Sequence, residues 1–145
     1  MREQPTASFY QIPRTFLTPA EIRRGICRVV AKAWRTLGQA DVYCSLPEDV
    51  EILDDLLWTF NAGAFVPHGP DPAEPVFLTH QDERIREETP VLVLSGPGGI
   101  PPAANRCRRI VDFIPAREQE RKDARERYRL LKQAGYIMQI YHLEA

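Results

Sequence analysis

Residues 109–142 read RIVDFIPAREQERKDARERYRLLKQAGYIMQIYH, and this stretch decides the fold class. Residues 109–114 are typical of a strand, and the proline that follows cannot donate to a sheet ladder and so ends it. A long helix is predicted over residues 117–134, with Gly135 as its stop signal. Residues 136–142 alternate between apolar and polar side chains and predict a last strand. A strand, a helix and a strand in this order indicate a parallel pair joined by a crossover helix.

The rest of the chain continues the same alternation. Further strands are predicted at residues 7–12, 41–45, 75–79 and 91–94. The run Val-Leu-Val-Leu at 91–94 is unbroken and apolar, as expected of a central strand that is buried on both faces. One helix is predicted to begin at the N-cap Thr18 and to end at Gly38. Another is predicted to begin with a capping box, Ser45 with Glu48, and to run through Trp58.

These elements predict an α/β fold of three layers, with a mostly parallel sheet and helices on both of its faces. Right-handed crossovers are expected between the parallel strands. The chain has 145 residues, a length that suits one domain, so we expect a single domain over residues 1–145. The pattern is Rossmann-like, but the residues discussed below do not predict a nucleotide site.

The cysteines and the termini bear on the cellular compartment. Cys27, Cys44 and Cys107 are odd in number and far apart, which argues against a disulfide framework and against a CxxC metal or redox site. No secretory signal is visible at the N-terminus, and no apolar run approaches the ~20 residues that span a bilayer. The expected location is the reducing cytoplasm, with no membrane partner.

A glycine-rich segment after the apolar strand is the feature most suggestive of catalysis. Ser95-Gly96-Pro97-Gly98-Gly99 does not have GxGxxG spacing, and no Gly-Lys-Ser/Thr follows it. Its prolines lack the N–H groups that cradle a phosphate, so a surface turn is the favoured interpretation. The histidines at positions 68, 80 and 142 have no metal-ligand spacing. We therefore predict no catalytic residue, no cofactor and no metal.

Charge is unevenly distributed along the chain. Residues 106–132 contain ten Lys/Arg and five Asp/Glu, a local charge of +5, whereas the remainder carries nine and fifteen, a charge of −6. The sum is the net charge of −1. A basic segment on such a chain indicates an acidic partner, or else a solvated helix face with mixed charges. The charges alone leave both interpretations open.

The predicted long helix carries most of this basic segment. One stripe is formed by residues at spacings of 4, 4, 3 and 4, namely Arg117, Arg121, Arg125, Tyr128 and Lys132. An adjoining stripe, formed by Ala124, Tyr128, Leu131 and Gly135, would pack on the sheet. Ile114, which ends the preceding strand, can reach the same patch.

This arrangement predicts an apolar cup with guanidinium groups on its rim. Such a cup could hold a peptide C-terminus, with an apolar last side chain inside and the α-carboxylate on Arg121 or Arg125. In the alternative interpretation, the arginines pair with acidic residues of the same helix, namely Glu118, Glu120, Asp123 and Glu126. The residues alone do not decide between the two.

Two large aromatic residues form a second candidate site. Trp58 lies at the end of its predicted helix, and Phe65 lies in the loop that follows. Aromatic side chains at such edges are either lids on the core or anchors of an interface. The residues by themselves favour the lid.

Several segments carry a family resemblance. They are Leu53-Asp54-Asp55-Leu56-Leu57-Trp58, Phe65-Val66-Pro67-His68, Val111-Asp112-Phe113-Ile114-Pro115, Ala124-Arg125-Glu126-Arg127-Tyr128 and Ala134-Gly135-Tyr136, with Phe9-Tyr10 and Trp34 in support. In these segments the sequence resembles the chi subunit of bacterial DNA polymerase III. The similarity extends over nearly the whole chain, and the motifs are more specific together than singly.

The resemblance implies an accessory protein of DNA replication that acts by binding other proteins and is not an enzyme. One implied partner is the psi subunit of the clamp loader. The other is the acidic C-terminal tail of the single-stranded DNA-binding protein, which ends in Pro-Phe after an aspartate pair. The tail site would consist of Ile114, Arg121, Arg125 and Tyr128. The position of Arg121 is commonly lysine in the family, so the charge persists while the hydrogen-bond geometry changes.

The resemblance also assigns Trp58 and Phe65 to the psi-binding surface, which a helicase-like protein could share. Two other functions remain as alternatives. The basic helix could bind single-stranded nucleic acid directly, although Tyr128 is the one aromatic residue on its stripe, so no direct nucleic-acid contact is expected. A nucleotide-using enzyme is the second alternative, suggested by the fold class and by residues 95–99, but fold alone does not imply activity.

Overall fold

The computed structural model describes residues 4–144 and shows strands and helices in alternation. Within these residues the strands are β1 (Thr6–Gln11), β2 (Ala40–Cys44), β3 (His68–Gly69), β4 (Val76–Thr79), β5 (Leu92–Ser95), β6 (Arg109–Ile114) and β7 (Ile137–His142). The α-helices are α1 (Pro19–Leu37), α2 (Pro47–Thr59) and α3 (Glu118–Gln133). Single turns of 3-10 helix lie at Asp82–Arg84 and Pro102–Arg106.

The strands form one sheet in the order β3-β4-β2-β5-β6-β1-β7, and each neighbouring pair is parallel. The predicted α/β class with a parallel sheet is therefore confirmed. The β6–α3–β7 crossover encloses β1, which pairs with β6 on one side and with β7 on the other. Phe9 of β1 consequently lies in register with Asp112 on one neighbour and with Ile140 on the other.

Two apolar cores lie on opposite faces of this sheet, which gives the predicted three layers. Along β5, Val93 belongs to the core under α1 and α2, whereas Leu92 and Leu94 belong to the other core. This alternation places successive side chains on opposite faces of a strand that is buried on both. Leu131 of α3 packs in the second core.

The sequence signals predicted the start of α1 correctly and the start of α2 incorrectly. Thr18 caps α1 as expected, because its hydroxyl oxygen accepts the N–H of Glu21 at 3.2 Å. The predicted capping box of Ser45 with Glu48 is wrong. The N-cap is Leu46, and α2 begins with Pro47, whose fixed φ suits the first helical turn. This start leaves Ser45 one residue too early to cap, and its buried hydroxyl has no hydrogen-bond partner.

The segment 61–75 is rich in Gly and Pro, which predicts a loop, but it contains the two-residue edge strand β3. A buried ion pair holds the chain between β3 and β4 in place. The guanidinium of Arg86 donates to Asp41 Oδ1 at 2.8 Å and also to the carbonyl oxygens of Glu74 and Pro75. Sequence patterns did not predict β3, because its two residues are too few to carry a strand pattern and are defined by their pairing with β4.

Candidate functional site

α3 is the helix that positions the predicted tail site. Glu118 and Glu120 lie in its first turn and Lys132 in its last, so these charges complement the helix dipole. The helix ends at Gln133, and Gly135 follows with a φ of +97°, a left-handed conformation that favours glycine. The predicted helix and its stop signal are thus confirmed.

A buried ion pair fixes α3 against the sheet. Arg127 donates from Nε to Asp112 Oδ2 at 2.7 Å and from Nη2 to Oδ1 at 3.1 Å, a two-pronged contact with β6. Its Nη1 also donates to the carbonyl oxygen of Gly98 at 2.8 Å. Burial raises the pKa of Asp112, while Arg127 and the N–H of Phe113 oppose that shift. This clamp sets the rotation of α3, and therefore which of its residues face β7.

The structure brings two of the four predicted tail-site residues into one cavity. Ile114 and Arg121 border a cavity of about 290 Å³ where β1, β6 and β7 end. Tyr128 lies two turns further along the same side of α3, and its ring packs edge-on against Phe9 with centroids 5.2 Å apart. Arg125 lies between them on the exposed surface and does not border the cavity. We call these four residues the α3 cup.

The arginines of the α3 cup do not pair with acidic residues of the same helix, as the alternative interpretation expected. Within residues 4–144, the side chains of Arg121 and Arg125 form no salt bridge or hydrogen bond. The helix does contain such a surface pair, in which Arg129 donates to Glu126, with Nε and Oε2 3.0 Å apart. Both guanidinium groups of the cup are consequently available for an anionic ligand.

Three further residues belong beside the α3 cup, although the sequence analysis did not include them. Arg14 and His142 border the same cavity, and the cavity lining within residues 4–144 contains no Asp or Glu. Ile140 lies on the same face of β7 as Met138, which packs beneath α3, and is 53% exposed. Parallel register brings these residues to the cup, and no short sequence motif encodes that register.

The second candidate site lies near the β3 edge of the sheet. Trp58 is 53% exposed and Phe65 is 68% exposed, and their ring centroids lie 5.9 Å apart. This exposure argues against the lid, the interpretation that the residues by themselves favoured, because most of their surface faces solvent. We call this pair the aromatic patch. Exposed aromatic pairs of this kind are typical interface anchors.

His68 supports the aromatic patch from below. Its buried ring lies 4.4 Å from the Trp58 ring, between centroids. Nδ1 lies 2.6 Å from the carbonyl oxygen of Val66, and Nε2 lies 2.8 Å from that of Asp54. These contacts join α2 to the loop that carries Phe65.

A crevice at the carboxyl ends of the strands is the place where Rossmann-like folds usually bind nucleotides. Here that crevice, of about 320 Å³, is bordered by the carboxylates of Asp49, Asp112 and Glu120. Arg23 lies 3.5 Å from Asp49, and Arg127 is held by Asp112. A phosphate placed there would face three carboxylates, while Arg23 and Arg127 are already engaged and Arg117 is the remaining arginine of the described lining. This surplus of carboxylates does not favour the nucleotide alternative.

Comparison with known proteins shows the family to which the chain belongs. The family described as DNA polymerase III chi subunit, HolC, matches residues 5–139. The chain belongs to this chi family. A protein named DNA polymerase III subunit chi from Pseudomonas aeruginosa is 30% identical in an alignment 145 residues long. That alignment covers 93% of this chain and 94% of the relative. The family is one of accessory subunits in DNA replication, and the resemblance seen in the sequence is confirmed.

Two further relatives carry the same name. The protein from Escherichia coli (strain K12) is 28% identical over 116 residues, covering 77% of this chain and 78% of the relative. The protein from Haemophilus influenzae is 28% identical over 140 residues, covering 90% and 92%. The family match includes all residues of the α3 cup and of the aromatic patch.

No helix within residues 4–144 combines the length and the apolar composition needed to cross a bilayer.

Proposed function

We propose that this chi-family protein is a non-catalytic adaptor. In this proposal it joins the clamp loader, through the psi subunit, to the acidic C-terminal tail of the single-stranded DNA-binding protein. The α3 cup is the observation that carries the proposal: Arg121, which forms no ion pair, borders a cavity with no carboxylate in its described lining, and the unpaired Arg125 lies on the exposed surface between Arg121 and Tyr128. The aromatic patch supplies the second contact surface.

The chemistry of the tail suits the α3 cup. A terminal phenylalanine ring would enter between Ile114 and Tyr128, which are half-buried and present apolar surface. Its α-carboxylate would accept hydrogen bonds from the guanidinium of Arg121 or Arg125, which can bond both oxygens at once. The preceding aspartates would lie in the field of Arg14, which adds a third positive charge at the cavity.

The positions of the two surfaces suit an adaptor. The aromatic patch lies near β3 and the α3 cup lies near β7, the strands at opposite edges of the sheet. Six strand spacings separate these edges, roughly 29 Å at about 4.8 Å per spacing, and four separate β3 from β6, the strand that carries Ile114 of the cup. Psi and the tail peptide could therefore bind at the same time without contact.

Binding of a fluorescent peptide that ends in Asp-Asp-Ile-Pro-Phe tests the tail site. We expect saturable binding with a Kd in the micromolar range, roughly −8 kcal/mol. Arg125→Ala and Arg121→Ala should each weaken binding by about 10- to 100-fold, because each removes a charge-assisted hydrogen bond. Added salt should weaken binding as well, since exposed charges are screened over about 8–10 Å. Fluorescence anisotropy measures all three effects.

Lys122→Ala is the matched control for these arginine variants. Lys122 is adjacent to Arg121 in sequence but points about 100° away around the helix and is exposed. It should change the Kd less than twofold. A peptide without its terminal Phe should no longer bind. If the folded wild-type chain fails to bind the full peptide, or if Lys122→Ala weakens binding as much as Arg125→Ala, the tail site is wrong.

The aromatic patch gives a separate prediction for psi. Phe65→Ala and Trp58→Ala are each expected to weaken binding of purified psi by about 30-fold or more, as truncation of a central aromatic anchor usually does. Isothermal titration calorimetry measures the effect. Leu17→Ala, which truncates a side chain that is 80% exposed elsewhere on the surface, should leave psi binding unchanged. Undiminished psi binding by Phe65→Ala together with Trp58→Ala would refute this assignment, while the tail peptide should bind these variants normally.

A further inference from the structure

The strand β7 forms one edge of the sheet. Within residues 4–144, β1 is the one strand that pairs with it. It has six residues, whereas β3 at the opposite edge has two. Proteins usually protect an edge strand of this length with proline, with charged side chains or with a covering element. The residues of β7, Ile-Met-Gln-Ile-Tyr-His, include no proline and no Lys, Arg, Asp or Glu. This edge is therefore suited to pairing with a further strand.

The pairing with β1 fixes which backbone groups of β7 point outward. The N–H of Ile137 donates to the carbonyl oxygen of Pro5 at 2.8 Å, and six residues later the N–H of Leu143 donates to that of Gln11 at 3.0 Å. In a parallel pair, the residues that bond to one neighbour alternate with those that face the other side. The outward N–H and C=O groups of β7 are consequently those of Met138, Ile140 and His142. A further strand could bind these groups.

A stripe of cations lies above this edge. The Tyr128 ring packs on Phe9, which is in register with Ile140, so this side of α3 lies over β1 and β7. Three cations share the helical stripe of Tyr128, namely Arg121, Arg125 and Lys132. Within residues 4–144 none of the three forms an ion pair or a side-chain hydrogen bond. The stripe includes no acidic residue, so it favours an anionic ligand beside β7.

The spacing of these cations suits an extended chain. Arg121 and Arg125 are four residues apart, which is about 6 Å along the helix at 1.5 Å per residue. Side chains on one face of a strand recur at every second residue, about 6.6 to 6.8 Å apart. An extended chain with an acidic residue at every second position would therefore bring successive carboxylates beside successive cations.

We propose that the open edge of β7 binds an acidic peptide as an additional, parallel strand of the sheet. This inference rests on the proposed function, because the occupant is the segment of the tail that precedes its last two residues. The α3 cup receives the end of the tail at the cavity that His142 borders, where β7 ends. The preceding residues then extend along β7 toward Ile137 and run parallel to β7, as neighbouring strands do throughout the described sheet. The terminal Pro-Phe turns over the end of β7, since proline has no N–H to pair.

A second copy of the chain is the alternative occupant of this edge. Two β7 strands related by a two-fold axis would run antiparallel, and the axis would be perpendicular to the sheet. Both α3 helices would then lie on the same face, and their stripes of cations would face each other across the new pair. Like charges in such an arrangement repel, whereas an acidic peptide brings the opposite charge. Charge complementarity therefore favours the peptide.

Peptides of two lengths test the added strand. Fluorescence anisotropy compares the five-residue peptide Asp-Asp-Ile-Pro-Phe with the nine-residue peptide Asp-Thr-Asp-Thr-Asp-Asp-Ile-Pro-Phe, and we expect the longer peptide to bind about 10-fold more tightly through its added backbone hydrogen bonds. N-methylation of both threonines, or of the first and third residues, removes N–H groups and leaves the charge unchanged. Because alternate N–H groups of the added strand face β7, one methylated peptide should bind like the five-residue peptide and the other like the unmodified longer peptide.

Ile140→Pro tests the same edge from the side of the protein. It removes an outward N–H and leaves the hydrogen bonds between β7 and β1 in place, an orientation in which edge strands accept proline. This variant should abolish most of the advantage of the longer peptide. Ile140→Ala keeps the N–H and should keep that advantage. Circular dichroism shows whether each variant is folded. If Ile140→Pro does not fold, the methylated peptides decide the question with the wild-type chain.

Three results would overturn the peptide strand on β7. One is an equal Kd for the five-residue and nine-residue peptides, and another is equal weakening by the two patterns of N-methylation. The third is a dimer of the chain alone in analytical ultracentrifugation that Ile140→Pro dissociates, which would make a second copy the occupant. The tail site of the proposed function fails separately, by an absence of binding of the five-residue peptide. An alternating effect of N-methylation on the longer peptide would support the β7 edge even then.

Discussion

Arg127→Met is expected to destabilise the folded protein by about 3–5 kcal/mol, the usual cost of breaking a buried ion pair by removing one partner. Asp112 is 1% exposed, and without Arg127 its carboxylate keeps only the N–H of Phe113 as a donor. The carbonyl of Gly98 loses its partner at the same time. For a chain of this length, the midpoint of thermal unfolding should fall by about 10–15 °C. Calorimetry or urea unfolding measures the change.

Two variants show whether this cost arises from the buried charge. The double variant Asp112→Leu with Arg127→Met should recover much of the lost stability, because a buried pair can often be replaced by apolar residues without loss. Arg129→Met removes the exposed pair with Glu126 and should leave the unfolding midpoint nearly unchanged. A midpoint of Arg127→Met within 2 °C of the wild type would show that the clamp does not stabilise the fold.

The destabilisation by Arg127→Met should also depend on pH. Burial raises the pKa of Asp112 above the ~3.9 of an unfolded chain, and the variant lacks the arginine that opposes this shift. A carboxyl whose pKa is raised by folding lowers stability in its charged form. The cost of Arg127→Met is therefore complete above the raised pKa and declines as pH falls through it. A difference in unfolding free energy that grows in acid would contradict this mechanism.

The fold was largely predictable because its signals are local and agree with one another. The apolar run at 91–94, the threonine cap of α1 and the Gly135 stop each depend on a few adjacent residues. The strand β3 could not be predicted, since its two residues are held in place by pairing with β4, and Arg86, distant in sequence, holds the segment between the two strands. Such positions are set by tertiary contacts that a sequence pattern does not contain.

The candidate sites were predictable where they lie on one helix. The stripe that includes Arg121, Arg125 and Tyr128 follows from helical spacing alone. Helical spacing does not show whether an arginine of the helix is paired. Arg127, one residue from Tyr128, is the buried partner of Asp112. Spacing shows which residues share a helix face. The contact with β6 shows which face is covered.

Exposure was the property that the sequence predicted least well. By themselves the residues favoured Trp58 and Phe65 as a lid on the core, yet both project into solvent, and Trp58 packs on the buried ring of His68. The composition of that loop gives no means of telling which of its apolar residues turns inward. The interface interpretation of the aromatic patch therefore depends on the folded structure and on the family resemblance together.

The cysteine thiols are expected to be nearly inert in the native protein at pH 8. Burial raises the pKa of Cys27 and of Cys44 to about 12, and that of Cys107 to about 11. Since the thiolate is the reactive form, its fraction at pH 8 should be lower by roughly two to three orders of magnitude than for an ordinary cysteine with a pKa near 8.5. Exposures of 0–4% further restrict access. Reaction with a disulfide reagent such as DTNB measures the rate.

Unfolding in urea removes the burial that raises the thiol pKa values and restricts access to the thiols. All of them should then react as ordinary cysteines, at least a hundred times faster than in the native state.

The Arg127→Met variant connects the prediction for the thiols with the prediction for the buried ion pair. Cys107 packs in the core beneath α3, whereas Cys27 and Cys44 pack beneath α1 and α2. Loosening of α3 alone should accelerate the reaction of Cys107 and leave the other two protected. Equal acceleration of all three would mean that the clamp stabilises the whole sheet, because only global unfolding exposes both cores at once.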